Sequence, residues 1–401
     1  MNPSEALWTK NFISLFLCNF FLFTNYYFLL VTMPIYAIHD LHAAKSLSGL
    51  VSAVFLAAAI IVRFIAHPFI ERYGKLPMLK WSIMMFVVSS LLYLFSDSLA
   101  SLLAVRFLHG LGFGVATVTA GAIVAHIVPL SRQGEGMGYF VLSSNLAMVA
   151  GPFFGLFSFE RLGAFWMLMF ALGCTIAALL FFLLIRPTAQ QVKRTVAKRQ
   201  LRLSLKQMIE PSVLPLALIG ALFALAYAPV LSFVSVYAKS LHFGESGNLF
   251  FVIYAVVLLV SRPFTGRWFD ARGPKALVIF CTTSFVIGLL LLSMAKTAEV
   301  YLLSAALIGM GWGNLFPILQ TMAIQSGPLS RSSSSLGTFL SVFDVGISAG
   351  SFLTGVLMAS FGFRTLYAID AAFLLIVFIL YLTTVGKKPK KEYSHAQQQR
   401  A

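Results

Sequence analysis

The stretch "PLSRQGEGMGYF", Pro129 to Phe140, returns later in the chain as "PLSRSSSSLGTF", Pro328 to Phe339, at an offset of 199 residues. The same offset sets Arg63, Glu71 and Gly74 on Arg262, Asp270 and Gly273, and "HGLGFG" (His109 to Gly114) on "IGMGWG" (Ile308 to Gly313). Further on, Asn145 falls on Asp344, Gly151 on Gly350 and Gly163 on Gly362. A single offset held over about 100 residues without an insertion is the mark of a tandem duplication, and helical composition alone does not produce it.

The repeated material is apolar. Of 401 residues, 59% are hydrophobic and 10% charged, and mean hydropathy is +0.89. A water-soluble chain of this length cannot hide so much apolar surface, so the expected solvent is lipid. Twelve apolar stretches, each long enough at roughly 17 to 25 residues to cross a bilayer, are separated by short polar breaks. The first lacks a small-residue cleavage site and is read as retained. The expectation is an all-α integral membrane fold of twelve transmembrane helices, arranged as two six-helix bundles related by a pseudo-twofold axis along the membrane normal. Its parts are an N-terminal bundle (1–186), a basic cytoplasmic linker (187–210), a C-terminal bundle (211–386) and a basic tail (387–401). Such parallel repeats are the pattern of carriers with a substrate path between the halves.

Charge sets the orientation. With both termini inside, 23 of the 29 Lys and Arg residues fall on cytoplasmic segments and 5 on the opposite side, leaving Arg106 within a helix. This asymmetry predicts a multi-pass membrane protein with both termini cytoplasmic. The net charge of +16 then serves the anionic inner surface of the bilayer rather than nucleic acid. Cys18, Cys174 and Cys281 lie inside apolar spans, where they suit packing and neither disulfides nor metal. "HDLH", His39 to His42, has no third metal ligand in view. Without a Walker-type phosphate loop, no ATP or other cofactor is expected.

Each half carries a charged joint between its second and third helices: His67, Glu71, Arg72 and Gly74 in the first, Gly266, Asp270, Arg272 and Gly273 in the second. A carboxylate ringed by Arg at a cytoplasmic helix end can hold helix ends together in one conformation and release them in another. This pattern resembles the signature of the major facilitator superfamily, although His67 stands where that family has Gly. "NLAMVAGPFFG" in helix 5 is similar to the Gly-Pro motif of family members with antiport activity, at Gly151, Pro152 and Gly155, with Leu156 in place of a further Gly. Pro152 removes a backbone donor and bends the helix, while Gly151 and Gly155 admit a close neighbour. The resemblance covers the whole chain and implies proton-coupled export of drugs or metabolites.

Two charges lie deep in the apolar spans. Arg106 is about seven residues, or roughly 10 Å, from the outer end of helix 4, and resembles the helix 4 Arg with which similar exporters assist proton transfer. Asp344 is about eleven residues into helix 11, roughly 16 Å, near the middle of a hydrocarbon core about 30 Å thick. It must be protonated, paired or in a wet cavity, and is the expected proton-binding group. His109 is expected to be a hydrogen-bonded packing residue and Asp370 a structural one. Asn25, Tyr26 and Tyr27 in helix 1, with Asn145 and Asn314, are expected to contact substrate, offering stacking and hydrogen bonds without fixed charge. The reading is a monomeric secondary transporter exchanging a small amphipathic molecule for protons. A proton symporter importing a sugar, organic acid or other nutrient, and a membrane receptor on the same scaffold, stay open at this point. An enzyme is not expected, because no nucleophile and base converge at one depth.

Overall fold

The computed structural model describes residues 6–44, 47–186, 209–243, 249–328 and 331–387. Nearly all of the basic linker and the tail from residue 388 lie outside the described residues. Twelve described helices are long and apolar enough to cross a membrane. They are α1 (Lys10–His39), α2 (Ser48–Tyr73), α3 (Lys75–Leu92), α4 (Leu99–Ile127), α5 (Gln133–Leu162) and α6 (Ala164–Leu183), then α7 (Leu214–Ser240), α8 (Leu249–Arg272), α9 (Pro274–Met294) and α10 (Ala298–Ser326). A last helical run, Ser332–Thr383, is broken at Gly362, and its two crossing parts are α11 (Ser332–Thr354) and α12 (Ser360–Thr383). Large apolar side chains such as Phe95, Phe264 and Phe352 stand on the outer faces, as they must where the solvent is hydrocarbon.

The duplication is visible in the backbone. Among the described residues, the glycines with positive φ are Gly74 (88°), Gly163 (84°), Gly273 (81°) and Gly362 (72°). Each turns the chain between two helices in a region that L side chains avoid, and they form two pairs at the 199-residue offset. Helix starts repeat too: α4 opens on a capping box between Ser98 and Ser101, and α10 opens on Thr297, which is Ser98 plus the same offset.

Close helix contacts follow that register. A Cβ on Gly110 would overlap the Phe55 carbonyl oxygen of α2, and one on Gly309 would sit 2.7 Å from the Tyr254 carbonyl oxygen of α8. Gly112 backs onto Ser82 of α3 and Gly311 onto Cys281 of α9. The three glycines of each repeat thus let α4 approach α2 and α3, and α10 approach α8 and α9, with backbones nearly touching.

The chain divides into two units, residues 1–129 with 139–209 and residues 130–138 with 210–401. By position in the sequence, 130–138 would go with the first bundle. It clusters with the second because the first turn of α5 is held there by hydrogen bonds.

Candidate functional site

Helices start with unsatisfied backbone N–H groups and a partial positive charge, so the start of α5 needs an anion. Asp270, near the C-terminal end of α8, supplies it. Its Oδ1 accepts from the Gly134 N–H at 2.7 Å and its Oδ2 from the Glu135 N–H at 3.0 Å. Glu135 is itself buried and takes both the Nε and Nη2 donors of Arg132 on Oε2, at 2.8 and 2.7 Å. Gly266 explains how the segments come so close: a Cβ there would lie 2.7 Å from the Glu135 Cα. In the first half, His67 Nε2 stands 3.8 Å from Glu71 Oε1 and Arg72 lies over the Tyr73 ring. His67, which departs from the signature Gly, thus provides a partner for its carboxylate. Arg272 closes the last turn of α8 just before Gly273.

Arg63 and Arg262 occupy one position in the two repeats and both are buried. Each reaches the glycine-rich part of the neighbouring helix. Arg63 donates to the Thr117 hydroxyl at 3.3 Å, and Arg262 donates to the Gly313 carbonyl at 3.0 Å and to Asn314 Oδ1 at 3.3 Å.

That last contact involves a residue expected to meet substrate. Asn314 is fully buried, its amide nitrogen donating to Ser261 Oγ and the Met310 carbonyl and its oxygen also accepting from Thr265 at 2.8 Å. It holds Arg262 in place. Asn25 is likewise buried, and its Nδ2 donates to the Ala171 carbonyl of α6 at 2.8 Å. A step of one residue turns a helix by 100°, so Asn25 faces α6 while Tyr26 and Tyr27 are half-buried on another side.

Tyr26 stacks on Phe55 and Phe113 at 5.3 and 4.5 Å, with Tyr27 4.8 Å away. The second unit repeats the theme: Trp312, the counterpart of Phe113, lies on Tyr227 at 4.5 Å and near Phe343 at 5.9 Å. One residue beyond Phe343, Asp344 is half-buried in α11, and its carbonyl accepts from Ser348 at 2.8 Å. Asn145 is half-buried at the matching place in α5.

Gly151 and Gly155 seat α5 against α1: Cβ atoms there would lie 2.7 Å from Tyr27 Cβ and 3.0 Å from Thr32 Cγ2. Pro152 sits inside that helix, between the two contacts and one turn from the aromatic residues of α1.

Arg106 is completely buried. Its Nε donates to the Val51 carbonyl at 3.1 Å, its guanidinium lies 4.7 Å over the Phe55 ring, and Nη1 and Nη2 meet no acceptor among the described residues. Beside it, the Tyr93 hydroxyl lies 3.0 Å from His109 Nδ1. Sequence reading singled out Arg106 but missed Tyr93, Phe55 and Glu135. Glu135 stood in the quoted motif, yet its second-half counterpart is Ser334, so the register carried no signal for it. On α12, Asp370 is buried with Oδ2 unpartnered.

Twelve spans in two repeated six-helix sets, a proline-containing helix seated closely on α1 and buried charges within the spans define a multi-pass membrane carrier. The sequence profile of the Major Facilitator Superfamily matches residues 15–350 and, overlapping it, 246–401. The chain belongs to that superfamily and is a transporter, not an enzyme. It is 22% identical to the staphylopine export protein of Staphylococcus aureus, over 94% of this chain and 96% of that one. It is 26% identical to the multidrug resistance protein MdtG of Salmonella arizonae, again over 94% and 96%. Among solved structures, the human organic anion transporter MFSD10 superposes with a TM-score of 0.77 at 18% identity, covering 95% of this chain and all of that one. The proton:xylose symporter XylE reaches 0.70 at 15% identity, covering 94% and 95%.

Proposed function

We propose that the protein exports a small amphipathic molecule across the bacterial inner membrane in exchange for protons, as a monomer with both termini cytoplasmic. The observation that carries this reading is the seat of Gly151, Pro152 and Gly155 on α1 at Tyr27. A helix bent by Pro152 there can rock against the aromatic residues that would meet the substrate. The names of the relatives, a staphylopine exporter and a multidrug resistance protein, support export.

In this reading Tyr26, Tyr27 and Asn145 touch the substrate and Asp344 carries a proton in mid-span, aided by Arg106. Asp270, with Arg272 and Gly273, and Glu71, with Arg72 and Gly74, form cytoplasmic latches that stabilise one state of the alternating cycle. Protonation shifts the balance between states by the difference in proton affinity between them.

Everted membrane vesicles with an established proton gradient test the proposal. Addition of compounds from a panel of amphipathic drugs and metabolites should dissipate the gradient with wild-type protein, and fail to do so with Asp344→Asn. If no compound dissipates it while intact cells accumulate a sugar or organic acid through the protein, export is wrong and import is right.

A further inference from the structure

We propose that His109 is the proton-carrying residue of the first unit, addressed through Tyr93 and governed by Arg106. The inference rests on the proton-coupled reading and specifies where in the first unit the proton sits.

A guanidinium stays charged at every pH a cell reaches. Arg106 can therefore assist proton movement only through a neighbour that gains and loses the proton. Its contacts are the Val51 carbonyl and the Phe55 ring, Tyr93 lies close enough to sense its charge, and one helical turn further on stands His109. Of these groups, only imidazole exchanges protons near neutrality.

The surroundings of His109 are unusual for a packing residue. It is fully buried on α4, with its ring perpendicular to Phe86 of α3 at 4.3 Å and to Phe55 of α2 at 5.3 Å. Tyr93, just past the end of α3, engages Nδ1, while Nε2 has no partner among the described residues. In either tautomer Nε2 is left as a donor without an acceptor or an acceptor without a donor, a cost that an inert core does not need. The titratable or charged described groups facing His109 are Tyr93 and Arg106; α2 and the body of α3 present Phe55 and Phe86.

Nη1 and Nη2 of Arg106 and Nε2 of His109 are thus three buried polar atoms without a hydrogen-bond partner among the described residues, one helical turn apart on α4, with the Tyr93 hydroxyl on the other ring nitrogen of His109. Among the described residues no carboxylate pairs with Arg106, so the pocket already holds one uncompensated positive charge. A second would be strongly disfavoured where water is excluded. His109 can become imidazolium only when Arg106 moves off or its charge is met by an anionic group, and it must return the proton when Arg106 comes back. Proton occupancy and the placement of Arg106 exclude each other, which is the linkage that coupling requires. The step itself forms one N–H bond on the ring, with the proton taken from water on one side of the membrane and released to the other.

The test uses purified full-length protein in lipid nanodiscs with 15N-labelled histidine, the His109 ring signals being assigned by their loss in His109→Gln. In Arg106→Gln the protonated fraction of His109 at about pH 6 should rise at least about tenfold over wild type, while Arg106→Lys, which keeps the charge, should not raise it. A ring that stays neutral in wild type and in Arg106→Gln alike overturns the proposal. Should Arg106→Gln fail to fold, Tyr93→Phe replaces it: losing the hydroxyl at Nδ1 should change that fraction at least about threefold, and an unchanged fraction overturns the proposal. Uncoupled transport in the vesicle assay with this titration intact would refute proton-driven export and leave the site standing. The reverse outcome would refute the site alone.

Discussion

Asp270 holds Gly134 by its backbone: the carboxylate Oδ1 of one accepts the N–H of the other at 2.7 Å, across 136 residues of sequence. Its second oxygen does the same for Glu135 at 3.0 Å. Both donors are orphan amides of the first turn of α5, so a single carboxylate caps the helix and tethers residues 130–138 at once.

Asp270→Asn should loosen this tether. The amide offers one acceptor and no charge, so one bond is lost and the other weakened, a cost of about 1.5 to 3 kcal/mol for hydrogen bonds to a charged group. Hydrogen exchange of the 133–138 amides should accelerate about tenfold or more, and exchange at the wild-type rate would remove the latch from the mechanism.

Gly110 and Gly173 should respond oppositely to alanine. A Cβ on Gly110 runs into the Phe55 carbonyl, whereas Gly173 has nothing within 4 Å. Gly110→Ala should cost about 1 to 3 kcal/mol through overpacking. Gly173→Ala should be neutral or stabilise by up to about 1 kcal/mol. Unfolding midpoints in a denaturing detergent titration distinguish the two.

Gly362→Ala isolates backbone strain from packing. Nothing stands within 4 Å of its absent Cβ, yet its φ is +72° with ψ 168°, and an L residue there costs about 1 to 3 kcal/mol. Gly163→Ala, with φ +84° and equally open space, should cost the same. A difference of several kcal/mol between them would mean that the two joints are not equivalent.

Asn314→Ala should lower stability, and Asn145→Ala should not. Removing the Asn314 amide leaves Arg262, Thr265 and Ser261 short of partners in a buried network, worth about 2 to 3 kcal/mol. Asn145 is half-buried, so its truncation should stay within about 0.5 kcal/mol while weakening transport of the preferred compound. Equal stability losses would mean that both are structural.

Much of this architecture was legible before any coordinates. Gly74, Gly163, Gly273 and Gly362 stood at one offset in the sequence, and among the described residues they are the glycines whose positive φ turns one helix into the next. The signal was strong because a backbone conformation closed to L residues leaves no alternative to glycine. The helix contacts of Asn25 and Asn314 were not legible, because amide side chains in a membrane span suit a substrate cavity and a buried helix contact equally well. Which of the two holds depends on a helix's rotation, and rotation is set by its neighbours.

The sequence by itself determined the twelve spans, the duplication and the joints, since hydropathy and backbone sterics act over a few residues and leave a local record. Only the tertiary structure decided that Asp270 reaches Gly134, that residues 130–138 group with the second unit, and that Tyr93 stands between Arg106 and His109. Those relationships join residues far apart in the chain, where pairing depends on which helices approach closely enough to exclude water.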